Sequence, residues 1–277
     1  MKDSEQEITW FNNGNAYTIE QRKSWYSQVA NAYNQARPRY PQKLISRAVE
    51  VAKLQKDATI LEVGCGPGTA TTAFAEFGFS MVCLEPSQEA CEIARQNCSQ
   101  YLDVEIKNTT FEEYPLESKR FNAVLAASSL HWVSSEVAYQ KAATALQDNG
   151  FLILLLNMQV QPQYEVYQVL HEVYQAHAPS LGQYETPETQ EKNFKSFGRL
   201  AIDSGLFQGL VSEQFRCEVT YSVDDYLTLL STYSPYIALQ PQNLDALFQG
   251  LREVLERNFG KSIKTSYLSG FHVARKM

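Results

Sequence analysis

The sequence predicts an α/β fold, a mostly parallel sheet with helices on both faces and a helical cap from the C-terminal half. Three observations predict it. Strand-like and helix-like segments alternate over the first hundred and fifty or so residues. The strand-like segments are apolar throughout, as in a sheet covered on both sides. After residue 157 the alternation gives way to polar, helical stretches.

Taken in order, ATILEV (58–63) reads as a buried strand, followed by a glycine loop and a helix over TATTAFAEFG (69–78). SMVCLE (80–85) is a second strand. Ser87 is the expected N-cap of a helix over QEACEIARQN (88–97), and Glu89 in its first turn suits the helix dipole. VEIKNT (104–109) and FNAVLAAS (121–128) are the third and fourth strands. A helix over EVAYQKAATALQ (136–147) leads to a fifth strand, GFLILLL (150–156). Residues 160–205 read as helical, with Tyr164, Tyr167, His171 and Tyr174 at helical spacing. FRCEVTY (215–221) is strand-like, and SVDDYLTLLSTY (222–233) and LDALFQGLREVLERNFG (244–260) are helical. TSYLSGFHVAR (265–275) closes the chain as a strand. The expected organisation is one domain over 1–277, with a ligand-binding core at 24–157. Cap helices fall in 158–212 and 222–262, and closing strands in 213–221 and 263–277.

The formal net charge is −7 and no block of Lys and Arg stands out, which argues against a nucleic-acid backbone as partner. Met1–Glu20 is polar and acidic, unlike a secretory leader. The longest apolar run, Phe151–Leu156, falls far short of the roughly 20 residues of a membrane helix. Five cysteines without a CxxC pair read as free thiols in a reducing cytoplasm, and the histidines show no metal spacing. The expectation is a cytoplasmic protein acting on a small molecule, with no metal, membrane or nucleic acid. Monomer and dimer both stay open.

The glycine loop after the first strand carries the function. Gly64, Gly66 and Gly68 alternate in VGCGPG, as a chain needs where a ligand lies against bare backbone. No Lys-Ser/Thr pair follows, which excludes a phosphate-binding P-loop. Thr69 stands where a dinucleotide fingerprint has its third glycine. Glu85, ending the second strand about 20 residues on, is placed to grip a ribose diol, or is a solvated acid opening a loop. NTTFEEYPL offers Thr110 and the Phe111 amide to an adenine edge, or forms a plain turn capped from Thr110 to Glu113.

The set ILEVGCGPG, CLEPS, TTFEEYPL, FNAVLAASSLHWV and NGFLILL resembles class I S-adenosylmethionine-dependent methyltransferases. Within them it is similar to the small-molecule branch that includes trans-aconitate methyltransferase-like enzymes. YSQVANAYNQARPRYP and LSTYSPYIAL look like the same branch, and the resemblance spans roughly residues 24–277. It implies a Rossmann-like, mostly parallel seven-stranded sheet and S-adenosylmethionine as cofactor. Gly64, Cys65 and Gly66 would take the methionyl and ribose portions against the main chain. Glu62 would order the loop and the ligand's ammonium group, and Glu85 would take the ribose hydroxyls. Pro86 and Ser87 would shape the adenine wall with Thr110 and Phe111, and Ser128 would donate near the methionyl portion. Many relatives carry Asp where this chain has Thr110.

The methionine carboxylate needs a cation, and Arg37 suits it because guanidinium pairs with carboxylate in bidentate fashion; a surface arginine beside proline is the alternative. Tyr33, one helical turn earlier, faces the same cleft on that reading. Tyr26, Tyr33 and Trp132 could stabilise the sulfonium with their faces or simply pack in the core. His131 is either a general base or a histidine packed with Trp132. Arg39 could face the substrate, and with Trp132, Tyr233 and Ser234 it forms the candidate acceptor site. The expected activity is methyl transfer to a small organic molecule, with a carboxylate oxygen as leading acceptor. The rivals are O- or N-methylation of a natural-product hydroxyl or amine, and a non-catalytic S-adenosylmethionine-binding sensor.

Overall fold

The computed structural model describes residues 18–277. The leader reading of Met1–Glu20 therefore falls almost wholly outside the described residues. Helix α1 (Ile19–Ala36) opens with a Thr18–Gln21 capping box, and α2 (Gln42–Val51) follows the Pro38–Pro41 segment. The core then alternates β1 (Thr59–Val63), α3 (Thr69–Ala75), β2 (Ser80–Glu85), α4 (Gln88–Asn97), β3 (Val104–Asn108) and β4 (Phe121–Ala127). After α5 (Ser135–Ala145) come β5 (Leu146–Asn157) and the two-residue β6 (Gln161–Pro162). The cap contains α6 (Tyr164–His177) and α7 (Pro187–Asp203). Strand β7 (Phe207–Ser222) precedes α8 (Val223–Ser231), α9 (Ser234–Ile237) and α10 (Pro241–Phe259), and β8 (Ser262–Lys276) ends the fold.

The strand order is β3-β2-β1-β4-β5-β8-β6, with β7 paired to β8. Strands β1 to β5 run parallel and β8 is antiparallel to β5, β6 and β7. Side chains from successive positions of one strand enter two different cores. Leu61 and Val63 of β1 pack with Val82, Leu84, Val124 and Leu154 on one face. Ile60 packs with Met81, Leu125, Ile153 and Leu44 on the other. Burial on both faces is why these strands read as unbroken apolar runs.

The sheet has eight strands rather than seven, because Gln161–Pro162 adds to β8 at Ser266 and Thr265. Strand β7 begins at Phe207, six residues before the expected 213, since Phe207–Val211 already pairs with β8. The helix after the loop stops at Ala75 rather than Gly78, where Phe77 and Gly78 turn the chain into β2. The cap shares its core with the sheet. Leu170, Tyr174, Leu230, Tyr236, Leu251 and Leu255 pack with Ile263 and Tyr267 of β8, with Tyr221 of β7 and with Ala36 of α1. Among the described residues no helix is long and apolar enough to cross a membrane.

Candidate active site

The sheet reverses its order of connection between β1 and β4, the position where open α/β sheets bind ligands beyond their strands' carboxyl ends. A cavity lies there. Its floor is Val63–Pro67 after β1, Leu84–Pro86 after β2, Ala127–Ser129 after β4 and Asn157–Met158 after β5. Helix α1 supplies Lys23, Tyr26, Ala30 and Tyr33, the segment after it supplies Arg37, Pro38 and Tyr40, and the cap contributes Tyr233.

The loop glycines all lie in the left-handed region, with φ of +66° at Gly64, +54° at Gly66 and +84° at Gly68. Their surroundings differ. A Cβ at Gly64 would meet Ser129 Cβ at 2.8 Å, whereas a Cβ at Gly66 would meet nothing within 4 Å. Gly66 thus turns its bare side to the cavity. Its amide donates to Glu85 Oε2 at 2.9 Å, and the Ser87 amide donates to Oε1 at 2.9 Å. Burial pushes the Glu85 carboxyl up to about 7, against the lowering effect of those two bonds.

Glu62 does not line the cavity. It is fully buried below the loop, where Oε2 accepts from Thr71 Oγ1 of α3 at 2.7 Å and Oε1 has no hydrogen-bond partner among the described residues. Burial raises it too, to about 7, and the hydroxyl of Thr71 opposes this. Its position supports the loop-ordering half of the reading and leaves the ammonium half without contact. Ser87 also lies behind the wall. It caps α4 through the Ala90 amide and meets Ser27 of α1 at 3.0 Å.

Thr110 lines the cavity, but its hydroxyl is committed within the turn: it donates to Glu113 Oε2 and accepts from the Glu113 amide, both at 3.1 Å. Phe111, 3% exposed, supplies an apolar wall beside Pro86 and Leu84. Ser128 follows β4 with φ of +53°, an uncommon value for a residue with a side chain, and its Oγ sits 3.0 Å from Tyr40 Oη.

Arg37 lines the cavity with much of its guanidinium already engaged. Nε donates to Thr232 Oγ1 at 2.8 Å and Nη2 to the Thr232 carbonyl at 2.9 Å. Its Cζ lies 3.9 Å from the Tyr233 ring centroid and 5.0 Å from that of Tyr33. Nη1 makes no hydrogen bond among the described residues. Tyr26, Tyr33 and Trp132 form an edge-to-face cluster on the wall, with centroids 6.4 Å and 5.6 Å from Tyr26.

Three expected contacts are not made. Arg39 is exposed and absent from the wall, since Nη1 donates to Thr69 Oγ1 and Nη2 to Asn34. His131 packs instead against Trp132 and Phe197, with centroids at 5.1 Å and 6.3 Å, and does not line the cavity. Ser234 opens α9 beside the wall while its neighbour Tyr233 is part of it. Sequence reasoning missed Tyr40 and Asn157. Asn157 ties the sheet to the segment after α1, donating to the Pro38 carbonyl at 2.9 Å and accepting from Ser269 at 2.6 Å. Among the described residues no group of three or more His, Cys, Asp or Glu could hold a metal.

Residues 60–150 match a family model described as methyltransferase domain. An uncharacterized methyltransferase of Mycobacterium tuberculosis is 31% identical over 132 residues, 48% of this chain and 51% of that protein. The chain thus spans about half the length of the curated relatives it first matches. In fold, it is similar to a provisionally assigned type II methyltransferase from Anaeromyxobacter dehalogenans. There the TM-score is 0.62 at 20% identity, covering 86% of this chain and 97% of that one. It is also similar to phosphoethanolamine N-methyltransferase 2 of Haemonchus contortus, solved with phosphomonomethylethanolamine and S-adenosylhomocysteine. That TM-score is 0.52 at 16% identity, covering 96% of this chain and 60% of that one. Residues 60–150 are thus similar to a methyltransferase domain, and the fold around them is Rossmann-like, as in these solved structures.

Proposed function

We propose that the protein transfers a methyl group from S-adenosylmethionine to a small organic molecule, with a carboxylate oxygen as acceptor. One observation carries the donor half: the open side of Gly66 and the Glu85 carboxylate meet on the floor of the same cavity. A carboxylate accepts, so its partner must donate. Each Glu85 oxygen holds one backbone amide and keeps capacity for a ribose hydroxyl. The loop itself carries no lysine or arginine, which suits a ligand without phosphates. Phe111, Leu84 and Pro86 offer the apolar wall an adenine needs, Arg37 Nη1 suits the methionyl carboxylate, and Tyr26, Tyr33 and Trp132 offer ring faces to a sulfonium.

When bound, S-adenosylmethionine supplies an already activated methyl group. The chain's own residues then have to align donor and acceptor and exclude water. Helix α1 does the second by closing one side of the cavity, pinned at Ser27–Ser87 and at Arg37–Thr232. Neither His131 nor the described lining tyrosines Tyr26, Tyr40 and Tyr233 is set up as a general base. His131 lies off the wall, and burial holds the Tyr26, Tyr40 and Tyr233 hydroxyls neutral by raising them. An acceptor that arrives ionised needs no base, which favours a carboxylate. With Arg37 given to the methionyl carboxylate, Lys23 is the cation among the described lining residues left for it, in place of Arg39. This reading keeps the protein near the trans-aconitate methyltransferase-like branch.

Calorimetry with S-adenosylmethionine on the wild type and Glu85→Ala tests the donor site. Release of S-adenosylhomocysteine across carboxylic acids, phenols and amines then tests transfer. The proposal expects binding that Glu85→Ala weakens, and turnover on an acid. Undiminished binding by Glu85→Ala overturns the donor site, and binding without turnover on any acceptor makes the protein a sensor.

A further inference from the structure

Arg37 reaches the cavity through a socket that the cap completes. It follows α1 directly, and Pro38 behind it confines its backbone to extended conformations, with φ of −68° and ψ of 135°. The side chain then runs between two rings, Tyr33 of α1 and Tyr233 of the cap, whose centroids lie 5.0 Å and 3.9 Å from Cζ. Tyr233 is itself fastened, its hydroxyl accepting from the Val160 amide at 3.0 Å. The rings limit how far the guanidinium can shift. Neither decides which of its edges faces a ligand.

Thr232 decides that. It is fully buried and caps the carboxyl end of α8, where the helix dipole favours a cation. Its hydroxyl proton goes to the Leu229 carbonyl at 2.6 Å, so toward Arg37 that oxygen can only accept. Nε donates to it at 2.8 Å, and Nη2 donates to the Thr232 carbonyl at 2.9 Å. Nε and Nη2 form one edge of the guanidinium plane. With that edge bound to a single residue, Nη1 at the opposite corner faces away from Thr232. Both acceptors are neutral oxygens, so the charge of half-buried Arg37 has no ion pair among the described residues and stays available to an anion.

Resting on the S-adenosylmethionine reading of this cavity, we propose that Thr232 is a positioning residue for the donor. It turns Arg37 so that Nη1 meets the methionyl carboxylate, and thereby makes the C-terminal cap part of the donor site. Thr232 lies outside residues 60–150, and its neighbour Tyr233 is on the cavity wall, so one cap segment supports both the donor cation and the candidate acceptor side. A threonine that merely ended α8 would act through the fold, and its loss would weaken every ligand of the cavity alike.

Calorimetry on the full chain with S-adenosylhomocysteine and its decarboxylated counterpart tests this, because the two ligands differ only in the carboxylate. The wild type is expected to prefer the carboxylate-bearing compound by about tenfold to a hundredfold, the range of a charge-assisted hydrogen bond. Thr232→Val and Thr232→Ala each cut that preference to about threefold or less, by weakening the carboxylate-bearing ligand alone. Thr232→Ser keeps the hydroxyl and holds the preference within about threefold of the wild type. Arg37→Gln removes the preference, and adding Thr232→Val to it changes the ratio no further, since the threonine acts through the arginine. An unchanged ratio in Thr232→Val and Thr232→Ala overturns the role, as does an equal loss of both ligands or a failure of Thr232→Ser to keep the preference. Equal wild-type affinity for the two compounds overturns it as well, by taking the carboxylate away from Arg37. Failure of the wild type to bind either compound is a distinct outcome, and overturns the cofactor reading beneath it.

Discussion

Replacing Glu85 with glutamine keeps the side chain's shape and removes its charge. In the wild type the two oxygens accept from the Gly66 and Ser87 amides, each at 2.9 Å. An amide side chain has one oxygen, so one of those backbone donors would face an NH2 donor. Losing one charge-assisted bond at a buried site costs about 1.5–3 kcal/mol, roughly a tenfold to hundredfold loss of affinity if the ligand needs this arrangement. The pH dependence isolates the charge. Burial holds Glu85 at about 7 in the free protein, and ribose hydroxyls donating to its ionised form would lower that value in the complex. Affinity is therefore flat above about pH 7 and weakens below it by up to tenfold per unit, with up to one proton released on binding. Calorimetry with S-adenosylhomocysteine between about pH 5.5 and 8.5, in buffers of different ionisation enthalpy, measures both quantities. Glu85→Gln should bind weakly and without that proton. Glu62 also sits at about 7 but lies below the cavity, so Glu62→Gln should keep the wild-type profile. Equal proton release by wild type and Glu85→Gln would refute the reasoning.

The remaining predictions concern the loop and the wall. Glu62 is an acid whose folded-state value is raised, so the folded protein keeps a proton that the unfolded chain has lost between about pH 4.5 and 7. Wild-type stability falls across that window by on the order of 3 kcal/mol at most. Glu62→Gln removes the loss, so thermal melts should show it gaining on the wild type at pH 8 and not at pH 5; a difference independent of pH would count against this. Gly66→Ala keeps the fold at a strain of about 1–2 kcal/mol while losing the ligand, because its Cβ meets only the cavity. Gly64→Ala should lose stability as well, its Cβ meeting Ser129 at 2.8 Å; equal melting losses in the two variants would contradict that contrast. His131→Ala should keep turnover within about fivefold, whereas loss of a general base costs about a hundredfold or more, and single-turnover rates decide.

The core strands were legible because the parallel sheet buries both of their faces, leaving apolar runs such as those of β1 and β5. Strand β7 was half hidden for the opposite reason. Among the described residues it pairs only with β8, and it exposes Gln208, Gly209 and Ser212, so its first residues look like loop. Two residues cannot carry a periodic signal, and β6 has only two. Within the site, Gly64, Gly66 and Glu85 were readable since backbone freedom and the end of a parallel strand are properties of local sequence. Arg39 and Ser234 lie off the wall, and His131 takes the packed alternative beside Trp132, since the direction of a side chain at a loop or helix start follows its tertiary partners, here Asn34 and Thr69 for Arg39 and Phe197 for His131. Tyr40 stands in the YSQVANAYNQARPRYP stretch, but nothing there singles it out from its neighbours, and only the fold brings it to Ser128.

A crystal structure with S-adenosylhomocysteine tests the central claim most directly. The account predicts both ribose hydroxyls within hydrogen-bonding distance of the Glu85 carboxylate, the ligand's chain along Gly64–Gly66, and the base against Phe111. A ligand seated elsewhere, or a Glu85 that still contacts only the Gly66 and Ser87 amides, would contradict it.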